Sequence, residues 1–228
     1  IKEIKSFYKM TKDILYSFRR CPYAIRVRWA FLVCEIKVEL REIDLKNKPK
    51  EFLNKSRTKT VPILIKKNGE TIEESLDIIL WAISNSPYKK DKNIFLPENQ
   101  RESIFRTIDE NDNKFKYHLD RFKYSARFEK IDEEYHFIEA IKIIKNWNEL
   151  LKENSYFFGE NPTIADWCIW PFIRQFKIAC ESKKRRNYLE PNFVTWLGYF
   201  ENDKNFKYLM HKYDIWKSSS KKYYFPIN

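Results

Sequence analysis

The stretch that decides the fold is residues 17–31, SFRRCPYAIRVRWAF. Two arginines, a cysteine and a proline close one apolar pattern, and a different one begins at once. Upstream, residues 13–18 (DILYSF) are short, apolar and aromatic, as a buried strand would be. From Pro22 onward, Ile25, Trp29, Leu32 and Val33 recur three or four apart with arginines interleaved, which predicts a helix. Proline suits its first turn, where the missing N–H is not needed. Cys21 therefore stands at a strand-to-helix junction, as either a reactive thiol or a small core residue beside a turn.

Outward from this junction the pattern alternates. Val38, Leu40, Glu42 and Asp44 mark a second strand region, KPKEFLNKS (48–56) a short helix, and VPILI (61–65) a third strand. Asn68-Gly69 predicts a two-residue hairpin turn, returning the chain through ETIEE (70–74) before a helix over 75–85. Residues 1–85 thus read β-α-β-α-β-β-α. The polar stretch SNSPYKKDKN lacks periodicity and places a linker at 86–97. Beyond it the long segments read as helices at 98–124, 130–153, 163–181, 190–201 and 204–214, so 98–228 is expected to be all-helical. The fold class expected is an α/β domain followed by an all-α domain.

Composition narrows the function. Hydrophobic residues make up 43% and aromatics 17% of the 228 residues, which is globular. Only 3 glycines occur, and no glycine-rich phosphate loop is present. The net charge of +12 invites a nucleic-acid reading, but lysines are scattered among acids. The densest cluster, KKRR at 183–186, lies between expected helices, so the excess is read as a solvated surface. The four cysteines at 21, 34, 168 and 180 suggest no disulfide framework. No apolar run reaches the ~18 residues of a membrane span, and no signal peptide is visible. A reducing, cytoplasmic setting is expected. His118, His136 and His211 are far apart in the sequence, so neither a metal site nor a Cys–His nucleophile pair is expected.

Three local features carry the chemistry. Cys21 in CPYA precedes a helix start, whose N–H groups and dipole favour negative charge; thiols so placed ionise more readily than usual. Arg19 and Arg20 would add to this. Val61-Pro62 opens a strand, where proline removes a ladder donor; the bond is either cis, with the Val61 backbone bared for an extended ligand, or an ordinary trans edge proline. Glu74 and Ser75 lead into a helix, either as a simple cap or as a set of polar groups suited to an α-amino acid.

In this order and spacing, CPYA, LKNKP (45–49), VP and ES resemble the glutathione-binding thioredoxin-like domain of cytosolic glutathione transferases, with the cysteine-containing omega class nearest. GENPTIADWCIWPF (159–172) is similar to the family's G-x-x-x-[ST]-x-x-D segment. The resemblance covers both domains and implies a thioredoxin-like fold, glutathione as co-substrate and a homodimer. It implies Cys21 as the thiol facing the glutathione sulfur, Leu45 and Lys48 at the glycine end, and Val61 pairing with the cysteinyl unit beside a cis Pro62. Glu74 and Ser75 would hold the γ-glutamyl head, with Tyr23, Phe172 and Trp216 about the substrate pocket. Thr163 and Asp166 form a capping box at a helix start and are structural. Trp167, Trp170 and Phe172 follow core spacing.

A cysteine in this position implies a mixed disulfide with glutathione, and so thiol transfer, deglutathionylation or dehydroascorbate-type reduction on an unidentified disulfide or electrophile. Ala24 occupies the place of a second CxxC thiol. Cys34 lies thirteen residues further along the same helical run, about 20 Å at ~1.5 Å per residue, against a bridging limit near ~7 Å. A second glutathione must therefore resolve the disulfide. The alternatives are a non-catalytic protein-binding module of the stringent-starvation type and a glutathione-conjugating transferase.

Overall fold

The computed structural model describes residues 12–87, 92–186, 188–219 and 221–226, in two compact units. Residues 1–11 and 88–91, the latter within the expected linker, lie outside the described residues.

The first unit is a five-stranded sheet with helices. Strand β1 (Ile14–Ser17) leads into α1 (Pro22–Val33), β2 (Val38–Glu42), α2 (Lys50–Lys55), β3 (Ile63–Ile65), β4 (Thr71–Ile72) and α3 (Ser75–Asn85). With β5 (Tyr223–Phe225) from the later part of the chain, the sheet order is β4-β3-β1-β2-β5, with β1 parallel to β2 and antiparallel to β3. The register sets Leu15 against both Leu40 and Leu64. Strand alternation sends Ile14, Tyr16, Ile63 and Ile65 to one face, where Phe52 of α2 covers them. Helix α1 packs on α3.

The hairpin between β3 and β4 departs from the two-residue turn expected. Gly69 N–H donates to the Lys66 carbonyl at 2.7 Å, and Lys66 N–H to the Glu70 carbonyl at 2.7 Å. The loop therefore has three residues, with Gly69 at φ 90° supplying the left-handed conformation that a side chain resists.

The end of the chain also departs from expectation. Residues 207–228 group with the first unit, not with an all-helical unit spanning 98–228. Strand β5 (Tyr223–Phe225) pairs antiparallel with β2 and buries Phe225 opposite Val38. The helix expected over 204–214 is only the short α10 (Phe206–Leu209). Past it the chain runs extended, because Tyr213 is buried and Trp216 N–H donates to the Glu42 carbonyl at 2.7 Å. These contacts with the sheet outweigh local helix propensity.

The second unit comprises residues 88–206. Its helices are α4 (Lys92–Phe95), α5 (Arg101–Asp109), α6 (Lys116–Lys123), α7 (Glu133–Leu150), α8 (Ile164–Ser182) and α9 (Pro191–Glu201), with a π turn at Glu110–Phe115 between α5 and α6. Helix α8 is its core: Trp167, Trp170, Phe172 and Phe176 are fully buried, and Trp170 stacks on Phe200. Asp166, fully buried, accepts from the N–H groups of Thr163 (2.8 Å) and Phe157 (3.0 Å), the Thr163 hydroxyl (3.0 Å) and the Trp196 indole (2.9 Å). The capping box is thus present and reaches across to α9. Among the described residues, no helix is long and apolar enough to cross a membrane.

Candidate functional site

Cys21 is the residue before α1, with extended backbone angles (φ −75°, ψ 122°), and Pro22 opens the helix. Its N–H closes a turn onto the Phe18 carbonyl at 3.0 Å, and its carbonyl accepts from Ile25 at 2.9 Å. The half-buried thiol donates to the Val61 carbonyl at 3.7 Å. The Val61-Pro62 peptide is cis. The strand-to-helix junction and the proline turn, forty residues apart in the chain, therefore meet at one sulfur.

Cys21 and Trp216 both pack against the apolar cluster formed by Ile14, Tyr16, Phe52, Val61 and Ile63, so the tail contributes to this face. Trp216 lies edge-on to Tyr16 and under the Arg41 guanidinium, 4.3 Å from its ring centre. Tyr23, half-buried on α1, carries the Arg26 guanidinium 4.8 Å over its ring. Arg26 in turn donates to the Ser75 hydroxyl through Nε (3.1 Å) and Nη2 (2.7 Å). Ser75 is the first residue of α3 and Glu74 its exposed N-cap. Lys48 donates to the Lys59 carbonyl at 2.8 Å, which ties it to the segment leading to Val61. Leu45 lies exposed in the loop after β2.

Glu73 was not singled out in the sequence, yet it organises this rim. Its carboxylate accepts from the N–H groups of Arg57 (3.1 Å) and Thr58 (2.9 Å), the Ser56 (3.3 Å) and Thr58 (2.9 Å) hydroxyls, and Arg57 Nε (3.1 Å). Burial alone would raise this carboxyl, but the hydrogen bonds from Thr58 and Arg57 more than reverse that and hold it at about 2. Two adjacent glutamates look alike in a sequence; only the fold turns one toward the 56–60 loop and the other outward.

Phe172 is fully buried on α8 and offers no exposed ring edge to a substrate, which corrects its placement at the pocket. Cys34 is buried at the opposite end of α1, its thiol pushed up to about 12 by burial. Burial likewise pushes Cys180 up to about 12. No disulfide joins any of the four cysteines. His118 and His136, distant in sequence, meet with their Nδ1 atoms 2.9 Å apart because α6 and α7 pack together. Among the described residues, no group of three or more His, Cys, Asp or Glu side chains is placed to hold a metal.

The arrangement supplies a thiol at a helix start, a cis-proline strand opening and polar groups at a second helix start, all on the first unit. Such a surface suits a small peptide with its own sulfur and carboxylates. The chain also resembles known proteins in sequence and fold. The mouse protein "Glutathione S-transferase omega-1" is 25% identical over 194 residues, covering 83% of this chain and 76% of its own. "Probable glutathione S-transferase MSR-1" of Nicotiana plumbaginifolia is 29% identical over 215 residues, covering 89% and 91%. Among solved structures, glutathione transferase Omega 3C from Trametes versicolor shares the fold with a TM-score of 0.75 at 18% identity, covering 90% of each chain. The tau class enzyme from mango, Mangifera indica, does so at 0.72 and 20%, covering 88% of this chain and 93% of its own. The family models for the glutathione S-transferase N-terminal and C-terminal domains match residues 15–90 and 98–203, so the chain belongs to the glutathione S-transferase family.

Proposed function

We propose that this transferase is a glutathione-dependent thiol transferase of omega type, working through a mixed disulfide between Cys21 and glutathione. The observation that carries the reading is the placement of the Cys21 thiol, at the start of α1 and on the Val61 carbonyl beside the cis Val61-Pro62 bond. In this reading Ser75 and Glu74 hold the γ-glutamyl head, Val61 meets the cysteinyl unit, and Leu45 and Lys48 meet the glycine end. The relatives named omega-1 support it.

The chemistry is two exchanges. The Cys21 thiolate attacks the glutathione sulfur of a glutathionylated substrate; an S–S bond forms to Cys21 and the substrate leaves as a thiolate that takes a proton from water. A glutathione thiolate then attacks the bound glutathione sulfur, releasing oxidised glutathione and restoring the Cys21 thiolate. The protein's own thiols do not offer resolution: Ala24 is a methyl group, and Cys34 is buried beyond the helix. The enzyme is further proposed to be a cytoplasmic homodimer, a state that light scattering at micromolar concentration would test.

The decisive experiment is mass spectrometry after exposure to oxidised glutathione, with turnover on a glutathionylated peptide. One glutathionyl group on Cys21 and loss of turnover in Cys21→Ser, with glutathione binding kept, are expected. Full turnover in a folded Cys21→Ser would overturn the mechanism. Conjugation by the native protein without any adduct at Cys21 would favour a conjugating transferase instead.

A further inference from the structure

A buried guanidinium and a buried carboxyl hold the turn that presents Cys21. Arg28 lies on α1, and its side chain runs back toward the helix start, as helical side chains do. Its Nη2 donates to the Arg19 carbonyl at 2.7 Å and its Nε to the Ala24 carbonyl at 3.4 Å. Glu42, at the end of β2, grips the other side of the same residue: its Oε1 accepts the Arg19 N–H at 2.5 Å. Arg28 is 0% exposed and Glu42 5%. Each gives its contact to Arg19, two residues before the thiol.

The surroundings leave both charges under-compensated. Arg28 Nη1, Glu42 Oε2, the Ser17 hydroxyl and the Tyr213 hydroxyl are buried with no hydrogen-bond partner among the described residues. Ser17 is the residue paired with Glu42 in the β1–β2 register. Tyr213 comes from the tail and interacts electrostatically with both Arg28 and Glu42. In so poorly solvated a place a charge acts over a longer distance than at the surface. Arg28 feels Glu42, Cys21, Tyr213 and Arg19.

We propose that Arg28 and Glu42 are an opposed pair of positioning residues that sets the ionisation of Cys21, Arg28 favouring the thiolate and Glu42 opposing it. This rests on the reading of Cys21 as the reacting thiol. Facing the pair, the turn contributes Arg19, β1 the neutral Ser17, and the tail Tyr213, which burial pushes up to about 12 and so keeps neutral. Burial also raises the Glu42 carboxyl, against the pull of the Arg19 N–H and the Arg28 charge. The pair therefore adds a tuning element to what the helix start alone provides.

The test is the pH profile of Cys21 alkylation by iodoacetamide on the full chain, read by mass spectrometry of the Cys21 peptide. In Glu42→Gln the amide keeps an acceptor for the Arg19 N–H but removes the opposing charge. Its midpoint should fall, and alkylation below the wild-type midpoint should be about three- to tenfold faster, since each unit of midpoint changes the thiolate fraction about tenfold. Arg28→Met should move the midpoint the other way, with alkylation about tenfold slower at the same pH. Where Arg28→Met does not fold, Glu42→Gln decides; Arg28→Lys retains the cation without the fork on Arg19, so its midpoint should stay near the wild type. A purely structural role would loosen the turn in every variant and shift all midpoints in one direction. Opposite shifts support the pair. A low wild-type midpoint that Glu42→Gln and Arg28→Met leave in place or move the same way, or that Arg28→Lys raises as far as Arg28→Met does, overturns the pair alone. A wild-type midpoint no lower than that of an ordinary thiol overturns the thiol-transfer reading, and this inference with it.

Discussion

The Ser75 hydroxyl sits in the fork of the Arg26 guanidinium, accepting from Nε at 3.1 Å and from Nη2 at 2.7 Å, with both side chains buried. Arginine has donors only, so the serine oxygen is fixed as the acceptor and its proton is left to donate elsewhere. At the first residue of α3 that proton joins the helix's unpaired N–H groups in favouring an anion. Ser75→Ala should therefore act twice. It removes an acceptor from a buried cation, a loss of about 1.5–3 kcal/mol in stability, and it weakens glutathione binding. Chemical denaturation and calorimetric titration of the same variant would check both. A variant with native stability and affinity would remove Ser75 from the site.

Glu73 should leave a signature in acid. Its carboxyl is held at about 2 in the folded chain, below the ordinary 4.5. A depressed folded value contributes stability above the ordinary value and loses it as pH falls toward the folded one. The contribution is therefore complete above pH 4.5 and disappears on the way to about 2. Glu73→Gln should flatten the stability curve over that window. It should also reduce glutathione affinity at neutral pH, by releasing the loop through Lys59 to which Lys48 is tied. Urea titrations at stepped pH report the first effect and binding isotherms the second.

Ala24 stands one helical turn after Cys21 and is fully buried. Ala24→Cys should create the internal disulfide that the native chain lacks, because residues three apart on a helix are neighbours. Oxidised, the variant should resist glutathionylation at Cys21. In turnover it should depend less on added glutathione. Counting thiols before and after oxidation decides the matter, and two unreacted thiols at positions 21 and 24 would contradict it.

Asp166 is a stability determinant. Asp166→Ala would deprive four donors, from Phe157, Thr163 and Trp196, of their acceptor inside the helical unit. A loss above about 3 kcal/mol is expected, with any protein that folds keeping its Cys21 chemistry. A small change in melting temperature would show that the box is dispensable.

The parts legible in the sequence were those written locally. Proline after cysteine marked the start of α1, and the apolar period marked α3 over its full observed span, Ser75–Asn85. What remained hidden depends on partners far away. KYYFP carries no alternation long enough to announce a strand, and β5 exists because the outer edge of β2 was available to pair with it. Tyr213 looks like the tail of a helix until the sheet that buries it is in place. Arg28 and Arg26 are interleaved charges in the sequence; in the fold both turn inward, one to Arg19 and one to Ser75. The sulfur position was legible because a helix start is local, whereas its electrostatic surroundings come from three separate segments.

The fifth strand has a consequence for the birth of the protein. It closes an edge of the first unit with residues that are synthesised long after β2. At about 5–20 residues per second, on the order of ten seconds or more separate the appearance of β2 from that of its partner. Through that interval the nascent chain exposes a bare strand edge, a surface that invites pairing with other chains. Deletion of Tyr223–Phe225 would make that transient state permanent, and aggregation during expression would then track the missing strand more closely than any loss at the thiol.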